Sequence, residues 1–447
     1  MNTIEPIANR RRFLTTTAAA FAAVGSFAAR LRAEERPAVT RPRATSGDAA
    51  VEPNWASRLT ITVGPRDADL VGTDDKALQA AVAYVARLGG GTVRVLPGTY
   101  RLRNAVHLAS RVRLLGAGQD TILIKEPSVT TKLAADSDWY DQEITLTDAS
   151  GFRIGDGVCL KTKNAHKTGP DYCKRTLVAR DGNRFKLDRP LRENFWQLGE
   201  ANVSTLFPLI NCEEISDAVV ENITLDGNKA KNTLLDGNYA GCIFAQDCSR
   251  LAFRGVTARH YNGDGISWQI CHDVVVENCH STGNANLGLH PGSGSQRPVM
   301  RNNRLEGNDI GIFFCWGVKF GLAEGNKIEG NRLGVSIGHR DTDNLIVAND
   351  IRRSGQAGVL FRKERGKEFA AHRNRVERNS IVDSGGDTGV GVDIEGGTEQ
   401  VTLVRNEIRE TRGPAGRIGI RLSAETNAIK MEDNRISGVA RDVVTLK

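Results

Sequence analysis

Side chains that can transfer protons and bind anions recur in the second half of this 447-residue chain. The set combines two histidines, three basic residues, several carboxylates and an indole: Asp264, Gln269, His290, Trp316, His339, Arg340, Arg362, Lys363, Glu364, Asp393 and Glu395. Imidazole transfers protons near neutral pH, arginine and lysine neutralise an acidic sugar, and tryptophan stacks on a pyranose ring. Together these side chains suit chemistry on an anionic polysaccharide.

A repeat places these side chains at related positions. Glycine followed by an apolar residue recurs at spacings of 23 or 24 residues, at Gly265, Gly288, Gly311, Gly334 and Gly358, with looser copies at Gly391 and Gly419. The apolar positions alternate at period two, whereas leucine-rich or helical repeats have other periods. We therefore predict an all-β solenoid, a parallel β-helix. The residue after each glycine should point inward and the next should point outward, so that the polar side chains share one face.

An asparagine also recurs near a turn of each coil. The set is Asn222, Asn278, Asn303, Asn326, Asn349, Asn379, Asn406 and Asn434. Equivalent residues of successive coils lie about 4.8 Å apart. The spacing predicts a structural ladder in which each side chain bonds the backbone of the next coil.

The amino-terminal part of the chain has a separate pattern. Thr73-Asp74-Asp75-Lys76 begins an amphipathic helix with Leu78, Val82, Val85 and Leu88 on one side, and three glycines end it. Such a helix would cap the apolar end of the solenoid. The run GTDDKALQAAVAYVARLGGGTVRVLPGTYRL resembles the amino-terminal signature of the pectate lyase-like superfamily, which includes pectate lyases and polygalacturonases. The resemblance covers residues 60–128 and 209–447 and implies a right-handed β-helix.

The first residues resemble a twin-arginine export signal. Asn9-Arg10-Arg11-Arg12-Phe13-Leu14-Thr15 precedes an apolar run that is shorter than the ~18 residues of a spanning helix. We expect a signal peptide over 1–33, a linker over 34–55, and a periplasmic or extracellular protein that needs the twin-arginine translocase and keeps no membrane anchor. Signal removal takes five arginines and one glutamate and lowers the net charge from +7 to +3, which argues against a nucleic-acid partner.

The remaining chain divides into three predicted segments. Residues 56–128 form the cap and first coils, 129–208 form an inserted β-rich subdomain beside a binding face, and 209–447 form the later coils. All eight cysteines lie between Cys159 and Cys315, as free thiols or disulfides, and no CxxC pair indicates zinc. No cofactor is firmly implied. Calcium remains open, although no compact aspartate cluster offers ligands.

The favoured reaction is cleavage of a uronate-containing polysaccharide by β-elimination. His339 is the predicted base and Arg340 the ligand of the substrate anion, and the catalytic set is completed by His290, Lys363, Glu364 and Asp264. Trp316, Arg362, Asp393, Glu395 and Gln269 are predicted to bind substrate. C5 epimerisation shares the proton abstraction.

Two other classes of function remain open. A hydrolase would pair Glu364 with Asp393 or Glu395. Asn262-Gly263-Asp264 resembles the Asn-x-Asp element of polygalacturonases, but their other motifs are not found in their usual forms. The third class is a non-catalytic glycan-binding protein.

The same residues also have structural interpretations. Trp316 could cover an apolar patch, and the segment from His339 to Asp343 could be a turn held by its own salt bridges. The Arg362 to Arg365 run could be a solvated loop, and Asp264 could cap a turn. His290 lies in a glycine-rich turn and is predicted to be exposed. The other six histidines are interpreted as structural or surface residues that do not belong to the column of outward-facing polar side chains.

Overall fold

The computed structural model describes residues 52–164, 167 and 169–446. The predicted export signal and most of the predicted linker lie outside the described residues. Within them, parallel strands stack coil upon coil, and each regular coil contributes three short strands. The predicted all-β solenoid is confirmed.

Two strands of each coil join a 22-stranded sheet, the long sheet. Its strands are Thr60–Gly64, Leu70–Val71, Gly91–Val95, Gly98–Leu102, Val112–Lys125, Val219–Asp226, Ala252–Arg254, Thr257–Arg259, Val275–Glu277, His280–Thr282, Val299–Arg301, Arg304–Glu306, Leu322–Glu324, Lys327–Glu329, Leu345–Val347, Asp350–Arg352, Arg375–Glu377, Ser380–Val382, Thr402–Val404, Glu407–Arg409, Lys430–Glu432 and Arg435–Ser437.

The third strand of each coil joins an 11-stranded sheet, the site sheet. Its strands are Val106–His107, Ile210–Glu213, Gly241–Gln246, Asp264–Gln269, Leu287–Gly292, Ile310–Phe313, Leu333–Ile337, Ala357–Phe361, Val390–Ile394, Ile418–Leu422 and Arg441–Thr445. Short 3-10 helices occur at Trp55–Ser57, Gln197–Gly199, Lys229–Lys231 and Lys367–Phe369.

The spacing of the glycine repeat matches the register in which successive strands of the site sheet pair. Ile266 pairs with Leu289, Leu289 with Ile312, and Ile312 with Val335. All four side chains are completely buried in the main core. The residue after each of these glycines therefore points inward, as predicted, because alternate residues of a strand face opposite sides.

The asparagine ladder runs along the turn between the two strands of the long sheet. From Asn303 to Asn406, the backbone N–H and the side-chain amide of each asparagine donate to the Oδ1 of the next. Asn434 accepts the last pair of bonds. Asn222 and Asn278 lie outside this ladder and have left-handed backbone conformations, with φ of 52° and 55°. The ladder prediction is therefore confirmed for six of the eight positions.

The predicted capping helix spans Asp75–Arg87. Asp74 is its N-cap, and Leu78, Val82 and Val85 are buried against the first coils. The prediction for Leu88 was wrong, because Arg87 is the last helical residue and the Leu88 side chain is exposed.

Replacing Asp74 with alanine should loosen the capping helix. Its Oδ1 accepts the N–H of Ala77 at 3.1 Å, and loss of such a cap costs about 1 kcal/mol. Amide hydrogen exchange within Asp75–Arg87 should become faster. Lys76→Ala, an exposed change in the same turn, should leave the exchange nearly unchanged.

Residues 130–204 contain a separate antiparallel sheet of six strands, the inserted sheet. Its strands are Thr130–Lys132, Glu143–Thr145, Gly157–Lys163, Pro170–Asp181, Arg184–Leu187 and Asn202–Ser204. They enclose their own apolar core, which includes Phe152, Phe185 and Phe195. Lys174 reaches the site sheet, where its Nζ lies 3.0 Å from Glu213 and 3.7 Å from the centre of the Phe244 ring. The inserted sheet therefore covers the first strands of the site sheet.

All eight cysteines lie in the described part of the chain and are free thiols, seven of them buried. The alternative of disulfides is not realised in this structure. No helix among the described residues combines the length and apolar composition needed to cross a membrane.

Candidate functional site

Two histidine–carboxylate pairs lie along the site sheet. The register aligns Ser267 with His290 and Phe313 with Ser336, so these outward positions form one column. His290 belongs to this column, and His339 follows the strand two coils later. Each imidazole contacts one carboxylate, Asp264 for His290 and Glu364 for His339.

The His290–Asp264 pair is buried. His290 Nδ1 lies 2.7 Å from Asp264 Oδ2, and the Leu287 N–H donates to the other carboxylate oxygen at 3.1 Å. Burial raises the pKa of Asp264, against the lowering effect of His290. Nε2 of His290 is buried and has no hydrogen-bond partner among the described residues.

The prediction that His290 is exposed was wrong, because only 2% of its surface is accessible. The Phe313 ring packs edge-on against it, with centroids 5.5 Å apart. Loop 227–240 covers Asp264 so closely that a Cβ at Gly237 would overlap the carboxylate. Ser267 holds this loop by donating its hydroxyl to the Gly237 carbonyl at 2.6 Å. Gln269, predicted to bind substrate, is also buried and donates to Ser267 Oγ at 3.1 Å.

The His339–Glu364 pair lies beneath exposed side chains, and only 8% of the surface of His339 is accessible. Glu364 Oε1 accepts the backbone N–H of His339 at 2.7 Å, and Oε2 lies 3.3 Å from Nδ1. The imidazole is stacked on Trp316, with ring centroids 4.5 Å apart and an interplanar angle of 17°. Phe369 packs on it at 5.0 Å. Trp316 is 58% exposed and presents a ring surface to solvent beside the histidine.

This geometry selects one tautomer of His339. Because the Glu364 carboxylate can only accept, Nδ1 carries the hydrogen, and Nε2 of the neutral ring keeps its lone pair. Oriented this way, His339 can act as a general base.

Cationic side chains surround this pair. The guanidinium groups of Arg340 and Arg365 each lie 4.2 Å from the centre of the Phe369 ring. Both side chains are exposed, as is Lys363. We call Trp316, His339, Phe369 and these three cations the basic aromatic surface. An anion arriving at the Phe369 ring meets the positive charges of Arg340 and Arg365 and an aromatic floor.

Arg362 has a different environment from these three cations. Nη1 donates to Ser336 Oγ and Nη2 to the Phe314 carbonyl, both at 2.9 Å, and the guanidinium lies 4.4 Å from the Phe313 ring centre. Asp341 Oδ2 is a further acceptor at 3.5 Å. Arg362 therefore links neighbouring coils.

Asp341 joins the turns that carry Trp316 and His339. Its carboxylate accepts the backbone N–H groups of Gly317, Val318 and Gly338, each at 2.9 Å. Burial raises the pKa of Asp341 to about 7, against the lowering effects of Arg362 and these N–H groups. The turn beginning at His339 is thus held by contacts across coils, not by its own salt bridges.

Replacing Arg362 with methionine should destabilise the protein by about 2 kcal/mol, because the buried Asp341 loses its cation but keeps its three N–H donors. Chemical denaturation measures the change. Arg365→Met, which alters an exposed arginine of the same loop, is the matched control and should shift the midpoint little. Equal shifts in the two variants would contradict the assigned role of Arg362.

Asp393 and Glu395 lie one coil beyond this surface. Asp393 is buried and accepts Nε of Arg421 at 2.9 Å, while Glu395 accepts the backbone N–H of Lys363 at 3.2 Å. Arg421 also lies 4.0 Å from Glu395. Both carboxylates are therefore already engaged by neighbouring groups.

Sequence reasoning missed two contributions to this face. Phe369, in the short helix Lys367–Phe369, packs on His339, although no local pattern distinguishes it from a loop residue. The prediction that His107 lies outside the column was wrong. His107 lies on the first strand of the site sheet, in register with Asn211 of the next strand. Its register is hidden in the sequence by the intervening insertion.

A resident metal has no evident site in the ranges that the structure describes. There, no group of three or more histidine, cysteine, aspartate or glutamate side chains is arranged to hold an ion. The sequence implied no cofactor firmly and left calcium open, and that alternative stays untested.

The fold and this surface define a parallel β-helix protein with an outward-facing basic and aromatic site. The family model for the right handed beta helix region matches residues 210–408 and 311–445, which together cover more than half of the chain. The chain therefore belongs to the right-handed β-helix family, which confirms the predicted handedness. No curated protein sequence matches it.

Solved structures share the fold at low sequence identity. The A-module of mannuronan C-5 epimerase AlgE4 from Azotobacter vinelandii has a TM-score of 0.54 and 17% identity, over 86% of this chain and 97% of that one. The AlgE6 A-module of the same organism has a TM-score of 0.51 and 16% identity, over 86% and 99%. PfbA, a surface adhesin of Streptococcus pneumoniae, has a TM-score of 0.51 and 12% identity, over 86% and 92%. At such identities the likeness establishes the fold.

Proposed function

We propose that this protein cleaves a uronate-containing polysaccharide by β-elimination at the basic aromatic surface. The observation that carries the proposal is His339, whose Nδ1 is held by Glu364 while its ring is stacked on the exposed Trp316. A base oriented by a carboxylate, beside a sugar-sized ring and several cations, matches the requirements of proton removal next to a uronate.

The reaction would proceed as follows. Arg340 and Lys363 bind the uronate carboxylate and stabilise the negative charge that develops when the C5 proton leaves. Nε2 of His339 takes that proton, the electron pair forms the C4–C5 double bond, and the C4–O bond breaks. The electrons of this bond pass to the leaving oxygen, which takes up a proton. Trp316 stacks on a sugar ring of the bound chain.

The buried His290–Asp264 pair takes no part in this reaction. Loop 227–240 covers Asp264, and the pair lies two coils before the base. Arg362 supports the site through its bonds to Ser336 and Asp341.

The test is incubation of the mature protein with alginate, polygalacturonate, hyaluronan and a neutral glucan. The expected result is new reducing ends together with the ultraviolet absorbance of unsaturated uronates, on an acidic polymer only. Reducing ends without that absorbance would indicate a hydrolase. Binding without turnover would indicate a glycan-binding protein, and either outcome would overturn the proposal.

C5 epimerisation is the second candidate, favoured by the likeness to two mannuronan C-5 epimerase modules. It begins with the same proton removal by His339 but returns a proton to the opposite face of C5. Incubation in deuterium oxide distinguishes the two. Deuterium at C5 with an unchanged chain length indicates epimerisation, whereas chain cleavage indicates elimination.

A further inference from the structure

Three exposed aromatic side chains form a second cluster, in segments that join strands of the inserted sheet. Trp139, Tyr140 and Trp196 are 53%, 60% and 44% exposed. The rings of Trp139 and Tyr140 meet edge to face with centroids 5.6 Å apart. We call these three residues the aromatic platform. None of them contributes to the basic aromatic surface, so the platform has no part in the proposed reaction.

One carboxylate anchors two of the three rings. Nε1 of Trp196 donates to Asp138 Oδ1 at 2.9 Å, and the Tyr140 hydroxyl donates to Asp138 Oδ2 at 3.0 Å. These bonds use the polar edge of each ring and leave apolar ring surface in water. Anchored rings lose less conformational entropy when a ligand binds.

The backbone beneath the platform is also held in place. The Asp138 N–H donates to Asp141 at 2.7 Å, and the Trp139 N–H donates to Asn194 at 2.9 Å. The Gln197 N–H, next to Trp196, donates to Asp136 at 2.6 Å. Both chain segments that carry the platform are therefore fixed before any ligand arrives.

The charges near the platform indicate the ligand class. Asp138 bonds two of the rings, while Asp136 and Asp141 accept backbone N–H groups of the same two segments. Carboxylates repel an anionic polymer and accept hydrogen bonds from hydroxyl groups. Aromatic faces stack on the apolar faces of pyranose rings. This charge is opposite to that of Arg340, Lys363 and Arg365 on the basic aromatic surface.

We propose that the aromatic platform is a binding site for a neutral polysaccharide. It is separate from the proposed catalytic surface and would hold the protein on an uncharged glycan. Its existence does not depend on the β-elimination proposal, because it uses different residues and a different class of ligand.

Affinity gel electrophoresis of the mature protein through starch, xylan, galactomannan and mixed-linkage glucan tests this site. At least one neutral polymer should retard the wild type. The double variant Trp139→Ala/Trp196→Ala should bind that polymer at least about tenfold more weakly, because stacked aromatic groups dominate such contacts. Tyr84→Ala, which removes an exposed ring of the capping helix, is the matched control and should be retarded like the wild type.

A second variant tests the anchoring. Asp138→Ala keeps all three rings but frees two of them, and should weaken retardation several-fold with an unchanged thermal melt. The proposal is overturned if no neutral polymer retards the wild type, or if the double variant is retarded equally. It is also overturned if sedimentation shows a wild-type dimer that the double variant converts to a monomer, since the platform would then be an interface between copies.

Discussion

Replacing His339 with alanine should lower turnover at least about 100-fold, the usual contribution of a general base. The thermal midpoint should also fall by a few degrees, because alanine removes a largely buried ring that packs between Trp316 and Phe369. Glu364 remains satisfied in this variant, because its Oε1 still accepts the backbone N–H of residue 339 and Arg362 lies 3.8 Å away. Initial rates on the acidic polymer and thermal melts measure the two effects.

The matched control for this variant is His280→Ala. His280 lies on the long sheet, where its Nε2 is 3.1 Å from Glu306 in a partly exposed pair. Removing this histidine–carboxylate pair should leave the rate unchanged. A His339→Ala protein that keeps full activity would falsify the assignment of the base, whether the reaction is elimination or epimerisation.

Replacing Asn349 with alanine should produce the largest loss of stability, about 3–4 kcal/mol. Asn349 is buried, and its Oδ1 accepts the backbone N–H and the side-chain amide of Asn326 at 2.9 and 2.8 Å. Its own amide donates to Ala323 O at 3.0 Å and Asn379 Oδ1 at 2.9 Å. Alanine leaves these buried groups without partners, and each unsatisfied group costs about 1–3 kcal/mol.

Asn278→Gly is the control for the ladder. Asn278 is exposed and has a φ of 55°, which glycine adopts without strain. Urea denaturation of the two variants, with hydrogen exchange of the neighbouring coils, should show a large effect for Asn349 alone. Similar small losses in both variants would contradict the energetic importance of the ladder.

The fold was readable from the sequence because a solenoid repeats its contacts at a fixed spacing. Stacking puts each residue beside its equivalent one coil later, so the glycine period directly encodes the pairing of Leu289 with Ile312. The helix beginning at Asp75 was readable because its cap and apolar stripe are local features. The ladder prediction was wrong at Asn278 because the sequence does not distinguish a left-handed turn residue from a ladder residue.

The candidate site was readable only in part. The repeat located the column and the exposed Trp316, but not the partners of each side chain. The pairing of His339 with Glu364 crosses 25 residues between neighbouring coils. Phe369 reaches the same histidine from a loop that interrupts the repeat. Loops and insertions follow no period, so the sequence carries no measure of where they fold back.

The sequence by itself determined the all-β solenoid, its register, its capping helix and the types of side chain on the site sheet. These features arise from local propensity and from contacts between neighbours at a constant spacing. The tertiary structure alone decided how each histidine is covered, because loop 227–240 buries Asp264 beside His290 while the rings of Trp316 and Phe369 cover His339. It also decided that Arg362 holds Asp341 while Arg340 faces outward. Solvent access and charge pairing depend on every segment that packs nearby, and so they cannot be read from one strand.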